Sequence, residues 1–373
     1  MAKIIFLSIP GHGHVNPTLA VVRELVRRGD EVIYYNTPEF REKIERSGAS
    51  FRPYPEPNIS AEELGELVGA LVNVTLFLLA ESERLLPFTL DELRREEPDV
   101  VVFDSICLWG MQAAHLLRLP SVSSISTFVA EGVSGLLRWR DALHLARYAL
   151  PALPRLLVRR RRLIKRYGPE VFPYRHLFPC IGDENVVYTS REFQPETDFV
   201  DASFHFVGPS LDAAARGPAA MSAADDFPWE LVGERRPLVY LAQGTVHASV
   251  AFVGAAYAAF GDHPGQFVLA AGRAAGGATV EQPPANFIVR PFVPQLALLQ
   301  HVDLFVSHGG MNSINEGLYE GVPLVVVPQQ LEQLFNGRRV AALGAGVVIG
   351  DRPPYGRVRP SELRAAAERV LAD

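Results

Sequence analysis

The chain has 373 residues, of which 48% are hydrophobic and 21% are charged, a composition typical of a soluble globular protein with two domains. Its net charge of −6 argues against nucleic acid as the main partner. The two cysteines, Cys107 and Cys180, are too few for a disulfide framework and do not have a metal-ligand spacing. The N-terminus lacks a signal-peptide pattern and no apolar stretch reaches the roughly 20 residues that span a bilayer, so we expect a cytoplasmic protein without an integral membrane segment.

In the first part of the chain, strand-like runs alternate with helical patterns, which predicts a parallel sheet flanked by helices. After the first run, Asn16 and Pro17 have the residue types of an N-cap and a first helical position, and Gly29 has that of a C′ position. A helix is therefore expected between Asn16 and Gly29. The strands predicted in this part are 3–9, 31–36, 50–54, 100–103 and 121–126. A further helix is predicted at 108–117, between the last two strands.

A segment rich in alanine, glycine, serine and aspartate separates this part from the rest. It predicts a linker at 209–227 between a first domain at 1–208 and a second at 228–373. The alternation of strands and helices then resumes, which predicts a second doubly wound α/β domain. The strands expected in it are 238–241, 266–270, 286–290, 304–307 and 324–327.

The turn after the first strand is rich in glycine and contains two histidines. Gly11 and Gly13 fit a dinucleotide-binding fingerprint, but Asn16 stands where its third glycine should be. His14 is a candidate general base, and Asp104 is its candidate orienting group because it directly follows the strand 100–103. An aspartate in that position can fix the imidazole tautomer and stabilise the imidazolium. The alternatives are a plain loop histidine and an aspartate that caps the next helix.

The strongest functional signal is the segment 307–316, which follows a predicted strand and opens a helix. Its glycines, with Asn312 and Ser313 at the helix N-terminus, predict an anion site built from backbone N–H groups and the helix dipole. His308 can add a charge-assisted bond to a phosphate, and Glu316, about one turn further on, can hold ribose hydroxyls. A tight structural turn is the weaker alternative.

Together these motifs resemble the family 1 glycosyltransferases, most closely the bacterial macrolide-type members that glycosylate natural products and flavonoids. The run Gly-His-Val-Asn-Pro that contains His14 is similar to the family's N-terminal motif, whose histidine is the base. Asp104 is similar to its partner aspartate. Over essentially the whole chain, the resemblance implies the GT-B fold: two doubly wound Rossmann-like α/β domains facing across a cleft. The N-terminal domain is then expected to bind the acceptor and the C-terminal domain the nucleotide sugar.

The run 293–328 resembles the family's nucleotide-binding signature. Through this resemblance Val293 and Gln295 correspond to contacts with the base, and Glu316 corresponds to the ribose contact. Glu332 and Gln333 are similar to the pair that binds the hydroxyls of the donor sugar. The residues that correspond to diphosphate contacts are Thr245, His308, Gly310, Asn312 and Ser313.

Two features depart from the family pattern. Members usually have Ser-Leu-Gly or Ser-Phe-Gly before the threonine, whereas this chain has alanine, Gln243 and glycine, so a polar residue replaces a hydrophobic one. Members also usually continue past the position of Asp373 with a last helix that crosses back to the N-terminal domain. The first difference leaves a local donor contact uncertain. The second means either that the sequence is short or that the closure of the two domains differs.

The resemblance implies an inverting hexosyltransferase. His14 takes the proton of an acceptor hydroxyl while the oxygen attacks the anomeric carbon, and the nucleoside diphosphate leaves from the opposite face. The expected donor is UDP-glucose, a dTDP-deoxysugar being the alternative, and the expected acceptor is a small hydrophobic molecule such as a macrolide, a flavonoid or another natural product. No cofactor and no metal are expected, since the sequence contains no D-x-D triplet to grip a metal diphosphate. A monomer or a homodimer is expected.

Other functions fit less well. A non-catalytic sugar-nucleotide-binding helper protein would not need His14 and Asp104. A nicotinamide-dependent oxidoreductase would need an intact glycine fingerprint and an acidic residue after the second strand, where Asn36 and Thr37 stand. A third alternative keeps the fold but epimerises or phosphorolyses the donor.

The sequence says less about the acceptor side. Five residues are candidates for an apolar acceptor pocket, although each is more often part of a core: Phe77, Ile106, Trp109, Phe128 and Trp139. A basic run between Arg155 and Arg166 suits an anionic membrane or acceptor. A solvated helical face, with side-chain stems lying along the surface, is the preferred interpretation of that run.

Overall fold

The computed structural model describes residues 1–60, 63, 71–129, 139–174, 176–211, 227–244, 250–272, 282–353 and 355–373. The chain divides into two compact units, Met1–Ala215 and Arg216–Asp373. Of the predicted linker, positions 209–211 and 227 are described and the remainder lies outside the described residues.

The first unit is built on a parallel sheet. In its described residues the strands are β1 (Lys3–Leu7), β2 (Glu31–Asn36), β3 (Ser50–Pro53), β4 (Val100–Asp104), β5 (Ser121–Ile125), β6 (Glu184–Val187) and β7 (Phe204–Phe206). Their order is β3-β2-β1-β4-β5-β6-β7, and every neighbouring pair is parallel. The order reverses between β1 and β4, and ligands of open α/β sheets bind at the carboxyl ends of the strands at such a switch point.

Helices cover both faces of this sheet. In the described residues they are α1 (His12–Arg27), α2 (Arg41–Arg46), α3 (Leu71–Glu96), α4 (Leu108–Leu117) and α5 (Trp139–Tyr167). The side chains of β1 alternate between the two faces: Ile5 packs in the cluster that contains Leu108 of α4, and Phe6 packs in the cluster that contains Leu19 of α1. This double burial explains why the strand is apolar from Ile4 to Leu7.

Helix α1 begins earlier than its sequence predicts. Its N-cap is Gly11 and its first residue is His12, so Asn16 and Pro17 lie inside the helix rather than at its start. Val15, which is fully buried under the sheet, donates its backbone N–H to the carbonyl oxygen of Gly11 at 2.9 Å. Burial of that turn outweighs the local Asn-Pro signal, although Pro17 lacks the N–H group that would bond to the preceding turn of the helix. The C-terminal prediction is confirmed, since Gly29 lies past the helix end with a φ of +92°.

The second unit repeats this arrangement. Its strands within the described residues are β8 (Leu238–Ala242), β9 (Gln266–Ala270), β10 (Phe287–Arg290), β11 (Leu304–Ser307), β12 (Leu324–Val326) and β13 (Gly346–Val348). They lie in the order β10-β9-β8-β11-β12-β13 and pair in parallel. The switch point of this sheet lies between β8 and β11.

The helices described in the second unit are α6 (Val250–Phe260), α7 (Gln295–Leu299), α8 (Met311–Tyr319), α9 (Leu331–Ala342) and α10 (Pro360–Ala372). Leu363 of α10 and Phe260 of α6 share one apolar core with Val306 of β11. Two doubly wound parallel α/β units, as predicted, therefore make up the chain. Across the described ranges, no helix combines the length and the apolar character needed to cross a membrane.

Candidate active site

The switch point of the first sheet brings His14 and Asp104 together. Asp104 is the last residue of β4, and His14 lies in the first turn of α1, directly after the neighbouring strand β1. Nδ1 of His14 is 2.8 Å from Oδ2 of Asp104. The Asp104 side chain is 1% exposed, whereas that of His14 is 24% exposed. A buried carboxylate thus contacts a solvent-accessible imidazole.

Backbone contacts hold this pair in place. The backbone N–H of Ile106 donates to Oδ1 of Asp104 at 2.9 Å, so both carboxylate oxygens are engaged. A Cβ atom added at Gly11 would lie 3.0 Å from Cδ2 of His14, which shows that the ring lies close against the backbone of the turn. The glycine therefore gives the imidazole room to reach the carboxylate.

Ser126 is a third member of this site that the sequence interpretation missed. Its Oγ lies 3.2 Å from Nδ1 of His14, and the residue is 8% exposed. It follows β5, which pairs directly with β4, so Ser126 and Asp104 come from the ends of adjacent strands. The reasoning that singled out Asp104, a polar residue at a strand end beside the switch point, applies equally to Ser126.

The other histidine of the turn has a different environment. Nδ1 of His12 lies 3.4 Å from Nζ of Lys43, and its ring centroid is 5.0 Å from that of Phe40. Burial lowers the pKa of His12 and the Lys43 ammonium lowers it further, while Glu39 opposes them. Only His14 of these two histidines has a carboxylate oxygen at 2.8 Å. The structure therefore distinguishes between two histidines that the sequence alone does not.

In the second unit, the turn after β11 leads into α8. Gly309 has a φ of +88°, and Gly310 is the N-cap of the helix. Asn312 and Ser313 lie in the first turn, and the N–H of Ile314 donates to the carbonyl oxygen of Gly310 at 3.0 Å. The N–H groups of a first turn lack intrahelical acceptors, so this helix start can receive an anion.

The imidazole of His308 lies between two glycines of this site. Added Cβ atoms at Gly244 and Gly310 would lie 2.9 and 2.5 Å from its Nε2. Its backbone N–H donates to the carbonyl oxygen of Ala242 at 3.2 Å, which links the end of β11 to that of β8. Gln243, which replaces the hydrophobic residue of the family pattern, is 4% exposed at this strand end. The predicted diphosphate contact Thr245 lies outside the described residues.

A chain of polar contacts joins β8, α7 and α8. The Tyr240 hydroxyl donates to Oε1 of Gln295 at 3.1 Å, and Nε2 of Gln295 donates to Oε2 of Glu316 at 2.5 Å. The same Nε2 is 3.4 Å from Oγ of Ser313. Glu316 is 3% exposed, and Val293, two residues before α7, is half-buried. Gln295 therefore contacts two other predicted nucleotide-binding residues, Ser313 and Glu316. Tyr240 is a member of this chain of contacts that the sequence interpretation missed.

Glu332 and Gln333 lie in the first turn of α9, after the N-cap Gln330. Oε1 of Gln333 accepts the backbone N–H of Gln329 at 2.8 Å, and Oε1 of Glu332 accepts Nδ2 of Asn336 at 2.8 Å. Nδ2 of the fully buried Asn336 also donates to the carbonyl oxygen of the glycine turn after β11, at 2.8 Å. Asn336, which we did not predict, therefore ties the predicted sugar-binding pair to the predicted diphosphate turn.

In the part of the chain that the structure describes, side chains of the kind that bind metals do not cluster. Over the ranges that the structure describes, His, Cys, Asp and Glu form no group of three that could hold a metal ion. Cys107 and Cys180 are both buried and free, and burial is the main cause that raises the pKa of each thiol.

Comparison with known proteins identifies the family. Residues 261–373 match the family described as erythromycin biosynthesis protein CIII-like, C-terminal domain. The chain is 32% identical over 372 residues to the NDP-glycosyltransferase YjiC of Bacillus subtilis (strain 168), with 99% of this chain and 89% of that protein covered. It is 31% identical over 389 residues to the demethyllactenocin mycarosyltransferase of Streptomyces fradiae, with 100% of this chain and 80% of that protein covered.

The fold leads to the same family. The crystal structure of the glycotransferase of kitacinnamycin matches with a TM-score of 0.78 and 27% identity, covering 100% of this chain and 91% of that one. Both sheets of this chain are built of parallel strands whose order reverses once. The identity to the Bacillus enzyme extends over nearly the whole of both chains. The chain is thus a glycosyltransferase that belongs to family 1, among the macrolide-type members with the GT-B fold.

Proposed function

We propose that the enzyme transfers a hexose from a nucleotide diphosphate sugar, with UDP-glucose as the expected donor, to a hydroxyl of a small hydrophobic natural product such as a macrolide or a flavonoid. The reaction inverts the anomeric configuration, with His14 as the general base and Asp104 as its orienting group. The observation that carries this proposal is the 2.8 Å contact between these two side chains at the switch point of the first sheet. The names of the Streptomyces relative and of the matched crystal structure support a natural-product acceptor.

The contact with Asp104 supports one tautomer of His14. A carboxylate accepts a hydrogen bond, so in the proposed mechanism Nδ1 carries the proton and the lone pair belongs to Nε2. Nε2 is then the atom that takes the proton of the acceptor hydroxyl as its oxygen attacks the anomeric carbon. The imidazolium that results is stabilised by the buried carboxylate, which needs no reorganisation to meet the new charge.

The second unit supplies the site proposed for the donor. The N-terminus of α8, with Asn312 and Ser313 in its first turn, meets the negative charge that develops on the diphosphate as it leaves. His308, Gly310 and Thr245 complete the proposed diphosphate contacts. Two further groups of residues are proposed to bind the nucleoside and the sugar hydroxyls: Val293, Gln295 and Glu316, then Glu332 and Gln333.

The hydrogen bonds of Gln295 add a second role for that residue. Its amide oxygen is engaged by Tyr240 and its amide nitrogen by Glu316, so its orientation is set. Through this contact Gln295 positions the carboxylate proposed to accept the ribose hydroxyls, in addition to its proposed contact with the base.

We further propose that transfer needs no metal and no cofactor, because helix dipole, imidazole and hydroxyl groups can take the charge of the leaving diphosphate. Dialysis against EDTA is then expected to leave the transfer rate unchanged.

A cytoplasmic location is proposed as well, since both cysteines are free thiols. The enzyme is proposed to act as a monomer or a homodimer.

A screen of donors and acceptors tests the proposed function. The thermal unfolding midpoint is measured with UDP-glucose, other UDP-sugars and dTDP-deoxysugars, and the best donor is then incubated with a panel of macrolides and flavonoids. Mass spectrometry is expected to find an acceptor heavier by one hexose, and NMR an anomeric configuration opposite to that of the donor. A donor that is bound but only epimerised or phosphorolysed, or a protein that binds the nucleotide sugar without transfer to any acceptor, would contradict the proposal.

Replacement of Ser126 by alanine is expected to lower kcat/KM by about 2- to 10-fold, the value of one hydrogen bond of ordinary strength. The serine hydroxyl restricts the imidazole at the nitrogen that faces Asp104. Its loss is expected to change the acid limb of the pH profile of kcat/KM. The control is Ser123→Ala, which removes a buried hydroxyl on β5 that donates to the carbonyl oxygen of Cys180 at 2.6 Å. An equal change of the profile in both variants would show that Ser126 acts only on stability.

Tyr240→Phe is expected to raise the KM for the donor by about 2- to 10-fold and to change kcat by less than about 2-fold. The ring of Tyr240 stacks on that of Phe305 with centroids 4.8 Å apart, and this packing survives the substitution. Only the hydroxyl that orients Gln295 is lost. Tyr257→Phe, in the apolar core of the same unit, is the control. A KM for the donor equal in the wild type and the Tyr240 variant would contradict the positioning of Gln295 by this hydroxyl.

A further inference from the structure

Helix α5 presents a surface that the proposed chemistry does not use. On this helix Leu150, Leu153, Leu157 and Val158 are exposed by 64, 44, 53 and 47%. They are four of the eleven large hydrophobic residues that are exposed in the described part of the chain. The three leucines recur with spacings of three and four, so they form one stripe along the outer side of the helix. Contiguous exposed apolar patches of this kind mark interaction sites.

The same helix concentrates positive charge. Between Asp141 and Glu170 the sequence has eight lysine and arginine residues and no acidic residue, in a chain whose net charge is −6. Six of the eight have exposed side chains: Arg147, Arg155, Arg161, Arg162, Lys165 and Arg166. At about 100° per residue, Arg161 and Lys165 continue the leucine stripe along the same side of the helix. The outer surface is therefore apolar in its middle and cationic toward its end.

The opposite side of α5 fixes the helix to the first unit. Leu163 is 2% exposed and belongs to the core cluster that includes residues of α3 and α4. Arg159 forms an ion pair with Glu83 of α3 at 2.6 Å, and the guanidinium of Arg160 lies 4.9 Å from the ring centroid of Phe172. Burial of one side does not require leucines on the other, so the exposed stripe is not a consequence of packing within the unit.

We propose that α5 docks the enzyme on an anionic lipid surface. Leu150, Leu153 and Leu157 enter the boundary between headgroups and acyl chains, while the neighbouring cations bind lipid phosphates. A helix that combines an apolar stripe with clustered cations matches the two properties of such a surface, its apolar interior and its negative charge. Most cations of the basic run are exposed, as expected for the solvated helical face that the sequence favoured, and the proposal adds that this face meets lipid.

Vesicle co-sedimentation of the full chain tests this docking. We expect the wild type to bind vesicles of phosphatidylglycerol but not of phosphatidylcholine, and to be released at about 1 M salt, where the screening length falls to about 3 Å. Arg161→Gln combined with Lys165→Gln is expected to weaken the binding about 10- to 30-fold. Leu153→Ser combined with Leu157→Ser is expected to weaken it about 10-fold or more.

The matched control removes two other exposed cations of the same unit, Arg94 and Arg95 of α3, whose side chains are 60 and 61% exposed. Arg94→Gln combined with Arg95→Gln is expected to bind vesicles like the wild type. Equal loss in the control and the α5 variant would overturn the proposal, because it would reflect net charge alone. Binding to both kinds of vesicle alike, or to neither, would also overturn it. A leucine variant with unchanged vesicle affinity but altered self-association in sedimentation velocity would overturn it as well. The stripe would then be a contact between copies of the chain.

Discussion

His14→Ala is expected to reduce kcat for sugar transfer by about 10²- to 10⁴-fold, the range that a positioned general base contributes. The acceptor hydroxyl then loses the group proposed to take its proton, while the proposed donor site in the second unit keeps every residue. The KM for the donor is therefore expected to stay within about 2-fold of the wild-type value. Initial rates of glycoside formation with the acceptor found in the screen, measured at saturating donor, give both constants.

Two further variants define the role of the base. Asp104→Asn keeps the shape of the side chain but removes the charge that selects the Nδ1–H tautomer, so a loss of the same order is expected. His12→Ala serves as the control, because this histidine lies in the same turn and contacts Lys43 and Phe40. It is expected to keep kcat within about 2-fold. Transfer by the His14 variant at a rate near that of the wild type would contradict the assignment of the base.

The sequence predicted the central strands of both sheets because they are buried on both faces. Residues 31–36 and 304–307 form strands with the predicted limits, since such strands have continuous apolar runs. Strands β6 (Glu184–Val187), β7 (Phe204–Phe206) and β13 (Gly346–Val348) were missed. Each is short and includes polar residues or glycine, so its strand state depends on the neighbour that it pairs with rather than on its own pattern.

The candidate sites show the same division. The proximity of His14 and Asp104 could be predicted, because parallel strand ends beside a switch point meet at one edge of the sheet. The Ser126 contact follows from the same rule, although we did not apply it to that residue. The contacts of Tyr240 and Asn336 could not be predicted, because each depends on how distant segments pack: Tyr240 lies 55 positions from Gln295, and Asn336 lies 27 positions from Gly309. A single polar residue at such a distance leaves no local pattern in the sequence.

Gly309→Ala is expected to destabilise the second unit and to abolish measurable donor binding. A Cβ atom at this position would lie 2.7 Å from Cγ1 of Val326 and 2.9 Å from the carbonyl oxygen of Gln333. One of these atoms is backbone, so the turn or helix α9 has to move. The left-handed φ of +88° costs about 1–2 kcal/mol for alanine, and the overlap adds about 1–3 kcal/mol. Urea denaturation and calorimetric titration with the best donor from the screen measure the two effects.

Gly321→Ala separates strain from overlap. Gly321 follows α8 with a φ of +70°, and no atom lies within 4 Å of an added Cβ. This variant is therefore expected to lose only about 1–2 kcal/mol of unfolding free energy and to keep its donor affinity. The difference between the variants measures how closely the diphosphate turn packs on β12 and α9. Because Asn336 bonds both to Glu332 and to the carbonyl of Gly309, a shift of this turn is expected to disturb the proposed sugar and diphosphate contacts together. Equal destabilisation by both substitutions, with donor affinity intact in each, would contradict this expectation. It would show that the turn at Gly309 can shift without affecting the proposed donor site.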